Sequence, residues 1–182
     1  MKPSLTSRFA FAGVVLATLG LPAAASAQYQ LPTLTSSARA DSLHDAAVAL
    51  VAAHRWTDAA RLHRRSAELR DADDQLGFRC LKEAAALDYA SGNRSAARSD
   101  MAAAAAHALA RGDLRTAALA YVDAAWIAQE QKNTKQVWEL GHRAEMLADS
   151  PLLASADRAA ILKRISRTPA PLQVVMGAGT EP

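Results

Sequence analysis

The sequence predicts an all-α protein, with antiparallel helical hairpins stacked as a short α-solenoid of about seven helices. Three observations lead there. Alanine is by far the commonest residue against only 3 Phe, 3 Tyr and 3 Trp, a usage that favours close-packed helices over sheets. Turn-forming residues punctuate the chain at intervals of about 20 residues. Between them, apolar residues recur at the helical period, as in Leu114, Ala117, Ala118, Tyr121, Ala125 and Ala128, or Val137, Leu140, Ala144 and Leu147.

The N-terminal segment is read apart from the fold. Lys2 and Arg8 precede an uncharged run from Phe9 to Leu21, followed by Pro22 and Ala25-Ser26-Ala27. A positive start, a short apolar run and a small-residue cleavage site make residues 1–27 a secretory signal peptide, with the mature chain starting at Gln28. The expected product is exported, periplasmic or secreted, and keeps no stable membrane anchor after cleavage. Two of the three excess positive charges leave with it, which removes the electrostatic case for a nucleic-acid partner. With one cysteine, Cys80, no intrachain disulfide can form, so packing alone must hold the fold.

Residues 28–37 are polar, contain Pro32 and read as a flexible linker. Seven helices are then expected over 38–53, 56–70, 74–91, 94–110, 114–131, 134–149 and 151–166, making a domain over 38–167. Gly92 and Gly112 suit left-handed C-terminal caps, while Asn93, Asp113 and Thr134 can accept from the free amides of the helices that follow. Asp71, Asp73 and Asp74 put negative charge at the third helix start. Lys163, Arg164 and Arg167 put positive charge at the last helix end. Ser150-Pro151 reads as a cap and first-turn pair for the seventh helix. The tail, 168–182, loses the period, carries three of the 7 prolines and reads as disordered.

Gly112-Asp113-Leu114 is followed by Ala117, Tyr121 and Ala124. His54-Arg55-Trp56 is followed by Ala59, His63 and Ser66, and Gly92-Asn93-Arg94 by Ala97, Met101 and Ala104. In this pattern of a turn, then small, large and small residues, the chain over 38–150 resembles the tetratricopeptide repeat family. The resemblance implies stacked hairpins whose concave face binds a peptide or protein. The hairpins here take about 40 residues instead of the family's 34. The motifs also fall on helices of conflicting phase, so a closed helical bundle stays open as the rival arrangement. The family's Lys and Asn carboxylate clamp has no counterpart.

Candidate chemistry is sparse. His44, His54, His63, His107 and His142 show no i, i+4 pair, and Glu139 with His142 forms one Glu-x-x-His where a di-iron bundle needs two. No nucleophile elbow, P-loop or dinucleotide fingerprint is present. Neither metal, cofactor nor enzymatic activity is therefore expected. Cys80 reads as a buried small hydrophobe, and Arg111-Gly112-Asp113 as a helix-cap turn. The candidate partner-binding residues are Arg61, Arg64 and Arg65, which line one side of the second helix and could grip carboxylates, and the tryptophans Trp126 and Trp138. Trp56, at a turn, is expected to anchor a helix interface. These readings favour a non-enzymatic interaction scaffold, the alternative being a helical-bundle carrier of a small ligand or metal.

Overall fold

The computed structural model describes residues 35–166, which lie within one compact unit, Leu34–Pro182. The segments expected as signal peptide and C-terminal tail, and most of the expected linker, lie outside the described residues. Among those described there are seven α-helices and no strand: α1 (Ser36–Ala52), α2 (Trp56–Glu68), α3 (Gln75–Ala90), α4 (Arg94–Ala110), α5 (Leu114–Glu130), α6 (Thr134–Ala148) and α7 (Ser155–Ser166). From α1 to α6 each helix packs on the next, and α7 lies against both α5 and α6. No described helix is long and apolar enough to cross a membrane.

Four of the six links between the described helices share one local design. At the end of α3, Asn93 N–H donates to Asp88 O (2.8 Å) and Gly92 N–H to Tyr89 O (3.1 Å), with Gly92 at φ +84°. These two bonds around a left-handed residue make a Schellman motif, which satisfies carbonyls the helix itself leaves free. The motif recurs with Gly112 and Asp113 after α4, with Lys132 and Asn133 after α5, and with His54 and Arg55 after α1. Asn93, Asp113 and Asn133 then cap the next helix, their side chains accepting from Ala96, Thr116 and Gln136 N–H. A single residue thus closes one helix and opens another. Thr134, expected as a cap, is instead the first residue of α6, because Asn133 has already taken that place.

This link precedes α4, α5 and α6 alike, at positions twenty residues apart. The buried faces follow the same step: Gly77, Ala97, Ala117 and Val137; Ala84, Ala104, Ala124 and Ala144; Asp88, Ala108, Ala128 and Ala148. The recurring unit is one helix and its turn. A turn motif present before every such helix cannot set a hairpin phase, which accounts for the conflict met in the sequence.

Lys132 holds φ +56° where its counterparts Gly92 and Gly112 have no Cβ to strain. Lys132→Gly is expected to raise stability by about 0.5–1 kcal/mol, read as a shifted urea midpoint with an unchanged slope.

Two ends differ from expectation. Helix α1 begins at Ser36, inside the segment assigned to the linker, because the Thr35 hydroxyl accepts from Ala38 N–H (3.3 Å) and caps it. Helix α7 begins at Ser155 and not at Pro151. Ser150 Oγ accepts from Leu152 N–H (3.3 Å) and Ser150 O from Leu153 N–H (3.1 Å), so Ser150-Pro151 forms a turn after α6 instead of a cap. Arg158 from α7 donates to Ala148 O (2.9 Å) and Asp149 (2.9 Å), covering the end of α6.

The core is uneven. Around α5, alanines interleave with Tyr121, Val122, Val137, Leu140, Ile161 and Ile165. The cluster around α2 and α3 holds only Ala67, Cys80, Leu81 and Ala104, with Phe78 and Ala103 against it. Apolar burial near 25 cal/mol per Å² therefore stabilises the α1–α3 end less than the α4–α7 end.

Candidate functional site

The odd-numbered helices share one face. Val48, Val51 and Ala52 on α1 and Glu83, Ala86 and Leu87 on α3 border an open groove of about 470 Å³, with His63 of α2 at its floor. Farther along, α3 meets α5 through the Tyr89 and Trp126 rings, 5.8 Å apart. The Tyr89 hydroxyl also donates to Glu130 (2.9 Å). Behind this face, α2 reaches α4 through Arg64 and Asp100 (2.9 Å). Two layers of alternating helices result, as in a solenoid.

The arginine cluster does not act as one surface. Arg64 donates through Nη2 to Asp88 of α3 and through Nε to Asp100 of α4. Asp88 is fully buried and Asp100 is 5% exposed. Arg64 is thus an internal tie between three helices, its Nε and Nη2 committed to two buried carboxylates while the side chain stays 32% exposed. Burial works against the charge on Arg64, but the hydrogen bonds and charges of Asp100 and Asp88 outweigh it and raise its pKa. Burial pushes Asp100 up to about 6, against the pull of Arg64 and with the neighbouring Asp88 carboxylate adding to the rise.

Arg61 and Arg65 are exposed, each paired within its own helix, Arg61 with Asp58 (3.1 Å) and Arg65 with Glu68 (2.7 Å). Asp58 also takes two bonds from Arg55, whose hydrogen bonding and charge hold its carboxyl below the usual range.

The tryptophans stand in separate ring contacts. Trp126 meets Tyr89, whose ring also carries the Arg94 guanidinium at 3.7 Å. Trp138 stacks on His142 of the same helix, centroids 5.3 Å apart. Both are close to half exposed, at 41% and 49%. Trp56, expected at a helix interface, is 40% exposed at the start of α2 beside His54, so that expectation is corrected. At a first helical position its ring projects beyond the packed stripe of Ala59, Ala60 and His63. Glu139 accepts from Gln136 (2.7 Å). Arg111-Gly112-Asp113 forms the cap turn described above.

Beneath the groove lies a group that spacing along the chain did not disclose. His44 of α1, His63 of α2 and Cys80 of α3 bring their ligand-type atoms within 4.8 Å of one another. His44 Nδ1 is 3.5 Å from Cys80 Sγ. Glu83, one helical turn on from Cys80, places Oε2 3.3 Å from His63 Nε2 and 3.9 Å from His44 Nδ1. Cys80 is fully buried and His63 is 1% exposed. Burial lowers the His63 pKa, so the ring is neutral near pH 7, and burial raises that of the Cys80 thiol.

Two neighbours brace the group. The Ser66 hydroxyl donates to Ala40 O (2.7 Å) and receives the Cys80 thiol at 3.6 Å. The Arg70 guanidinium, 3% exposed, ties Asp41 of α1 to Asp74 at the cap of α3. His63 Nδ1 is buried without a hydrogen-bond partner.

Comparison with protein-family models, with curated proteins and with solved structures finds no match for this chain. Among the described residues, the protein is an all-helical stack with an open apolar groove on one layer.

Proposed function

We propose that the protein is an exported, non-enzymatic helical-repeat module that binds a segment of another protein in the groove between α1 and α3. The observation carrying this reading is the groove itself. Val48, Val51, Ala52, Ala86 and Leu87 present apolar surface to an open channel, and Glu83 supplies one carboxylate there. That chemistry suits a peptide with apolar side chains facing inward and a cation beside them. The resemblance to tetratricopeptide repeats supports the reading by analogy of architecture. Trp126 and Tyr89 continue the same helical layer and extend the surface a longer peptide would meet.

Ala86 is exposed on α3, so Ala86→Arg fills the channel without disturbing the packed face. Cross-linking in envelope extract is expected to recover a protein partner with the wild type and to lose it with Ala86→Arg, while thermal unfolding stays within about 0.5 kcal/mol. Recovery of the same proteins by both forms overturns the groove as the binding surface.

A further inference from the structure

We propose that His44, His63, Cys80 and Glu83 form a binding site for a thiophilic first-row divalent cation, zinc foremost, that clips α1, α2 and α3 together. The site does not rest on the peptide reading, but the two share Glu83: an ion bound here takes the carboxylate that the groove would otherwise offer to a peptide cation.

Geometry carries the inference. Zinc bonds of 2.0–2.3 Å to nitrogen, oxygen and sulfur in tetrahedral array set ligand atoms about 3.3–3.8 Å apart. Three separations here lie on or next to that range: 3.5 Å from His44 Nδ1 to Cys80 Sγ, 3.3 Å from His63 Nε2 to Glu83 Oε2, and 3.9 Å from His44 Nδ1 to Glu83 Oε2. The spread within the His44, His63 and Cys80 group stays inside 4.8 Å, so closing it onto an ion takes side-chain adjustments of about 1 Å or less on the zinc bond lengths. Two imidazoles, one thiolate and one carboxylate are a donor set that suits zinc better than magnesium or calcium, which take oxygen.

The surroundings agree with this chemistry. His63 is neutral near pH 7, the form that ligates, because burial lowers its pKa. Ser66 and Arg70 brace the group from below. The His44 and Glu83 side chains remain 23% and 38% exposed, which leaves an entry path from the groove. The helices being joined surround the poorer of the two apolar clusters, where a metal clip adds most to a thin core. Binding is ligand exchange without redox change. The Cys80 S–H bond breaks, its proton passes to solvent, and the sulfur lone pair is donated to the ion. Since burial raises the thiol pKa, about one proton per ion is released at neutral pH.

The full chain, stripped with a chelator, should be titrated with Co2+ as an optical reporter and then with Zn2+. The expected result is one equivalent of cobalt with a thiolate-to-cobalt charge-transfer band, displaced by zinc, and a rise in the thermal midpoint with zinc. Cys80→Ser should abolish the band, and His44→Ala should weaken zinc binding by about 100-fold or more. His44 is only partly buried, so His44→Ala keeps the test decisive if Cys80→Ser fails to fold. Cobalt bound without a thiolate band, less than one equivalent, or zinc affinity unchanged in His44→Ala overturns the proposal. The peptide reading is tested separately, because Ala86→Arg leaves all four ligands in place.

Discussion

Replacing Arg64 by alanine is expected to destabilise the protein by about 3–5 kcal/mol, the loss that follows when one partner of a buried ion pair is removed. The size comes from what remains. Asp88 is fully buried and Asp100 nearly so. Without Arg64, Asp88 keeps one hydrogen bond, from Asn93 (3.3 Å), and Asp100 loses its bond from Nε. Arg64→Lys should recover only part of the loss, because a single ammonium cannot reproduce a fork directed at two carboxylates on different helices. Arg61→Ala and Arg65→Ala should each change stability by less than about 1 kcal/mol, since their partners are exposed neighbours on the same helix. Chemical denaturation of the four variants checks the series. Equal stability of Arg64→Ala and Arg61→Ala would show that α2, α3 and α4 are not joined through this guanidinium.

The second large effect is a dependence on pH. Two buried carboxylates share one guanidinium, so the cluster holds a net negative charge when both are ionised. Burial, the leading cause, pushes Asp100 up to about 6 from its ordinary 3.8. The native state therefore binds that proton more tightly than the unfolded chain does. Its contribution to stability is complete below about pH 4 and is lost as pH rises through about 6, a fall of roughly 2–3 kcal/mol. Asp74 and Asp113, whose carboxyls the helix-start amides and nearby arginines hold below their ordinary value despite some burial, act in the opposite sense at lower pH. The measurement is therefore a difference between wild type and Asp100→Asn across pH 4 to 8. Asparagine can still accept from Arg64 and does not titrate, so its advantage over the wild type should grow with pH and level off above about 7. A difference that does not vary with pH would rule out proton uptake at Asp100.

These two effects explain why the structural role of Arg64 was not legible in the sequence. Arg61, Arg64 and Arg65 share one side of a helix, and three equal cations look like one patch. Arg64 is set apart by carboxylates lying 24 and 36 positions farther along the chain. One sign was present before the fold was known: Asp88 and Asp100 stand on apolar-stripe positions of α3 and α4, where Ala108 and Ala120 occupy the matching places one unit later. An acidic residue in a buried stripe calls for a cation from elsewhere. The His44, His63 and Cys80 group gave no such sign, because its members come from three helices and none makes a metal-binding spacing with another.

Helix existence and most helix ends were legible because capping is local. Asn93 and Asp113 meet amides three residues away, and Gly92 and Gly112 take a left-handed turn that needs no distant contact. Ser150-Pro151 misled for the same reason: a serine before proline has the makings of a cap, and only the turn back to Leu152 and Leu153, with Arg158 over the end of α6, moves the start of α7 to Ser155. The amino-acid order by itself determined a succession of alanine-rich helices, with left-handed turns at Gly92 and Gly112, since those preferences act over a few residues. Which cations meet buried acids, and which imidazoles face the thiol, was decided by the stacking of the helices, because those distances are set between elements and not along them.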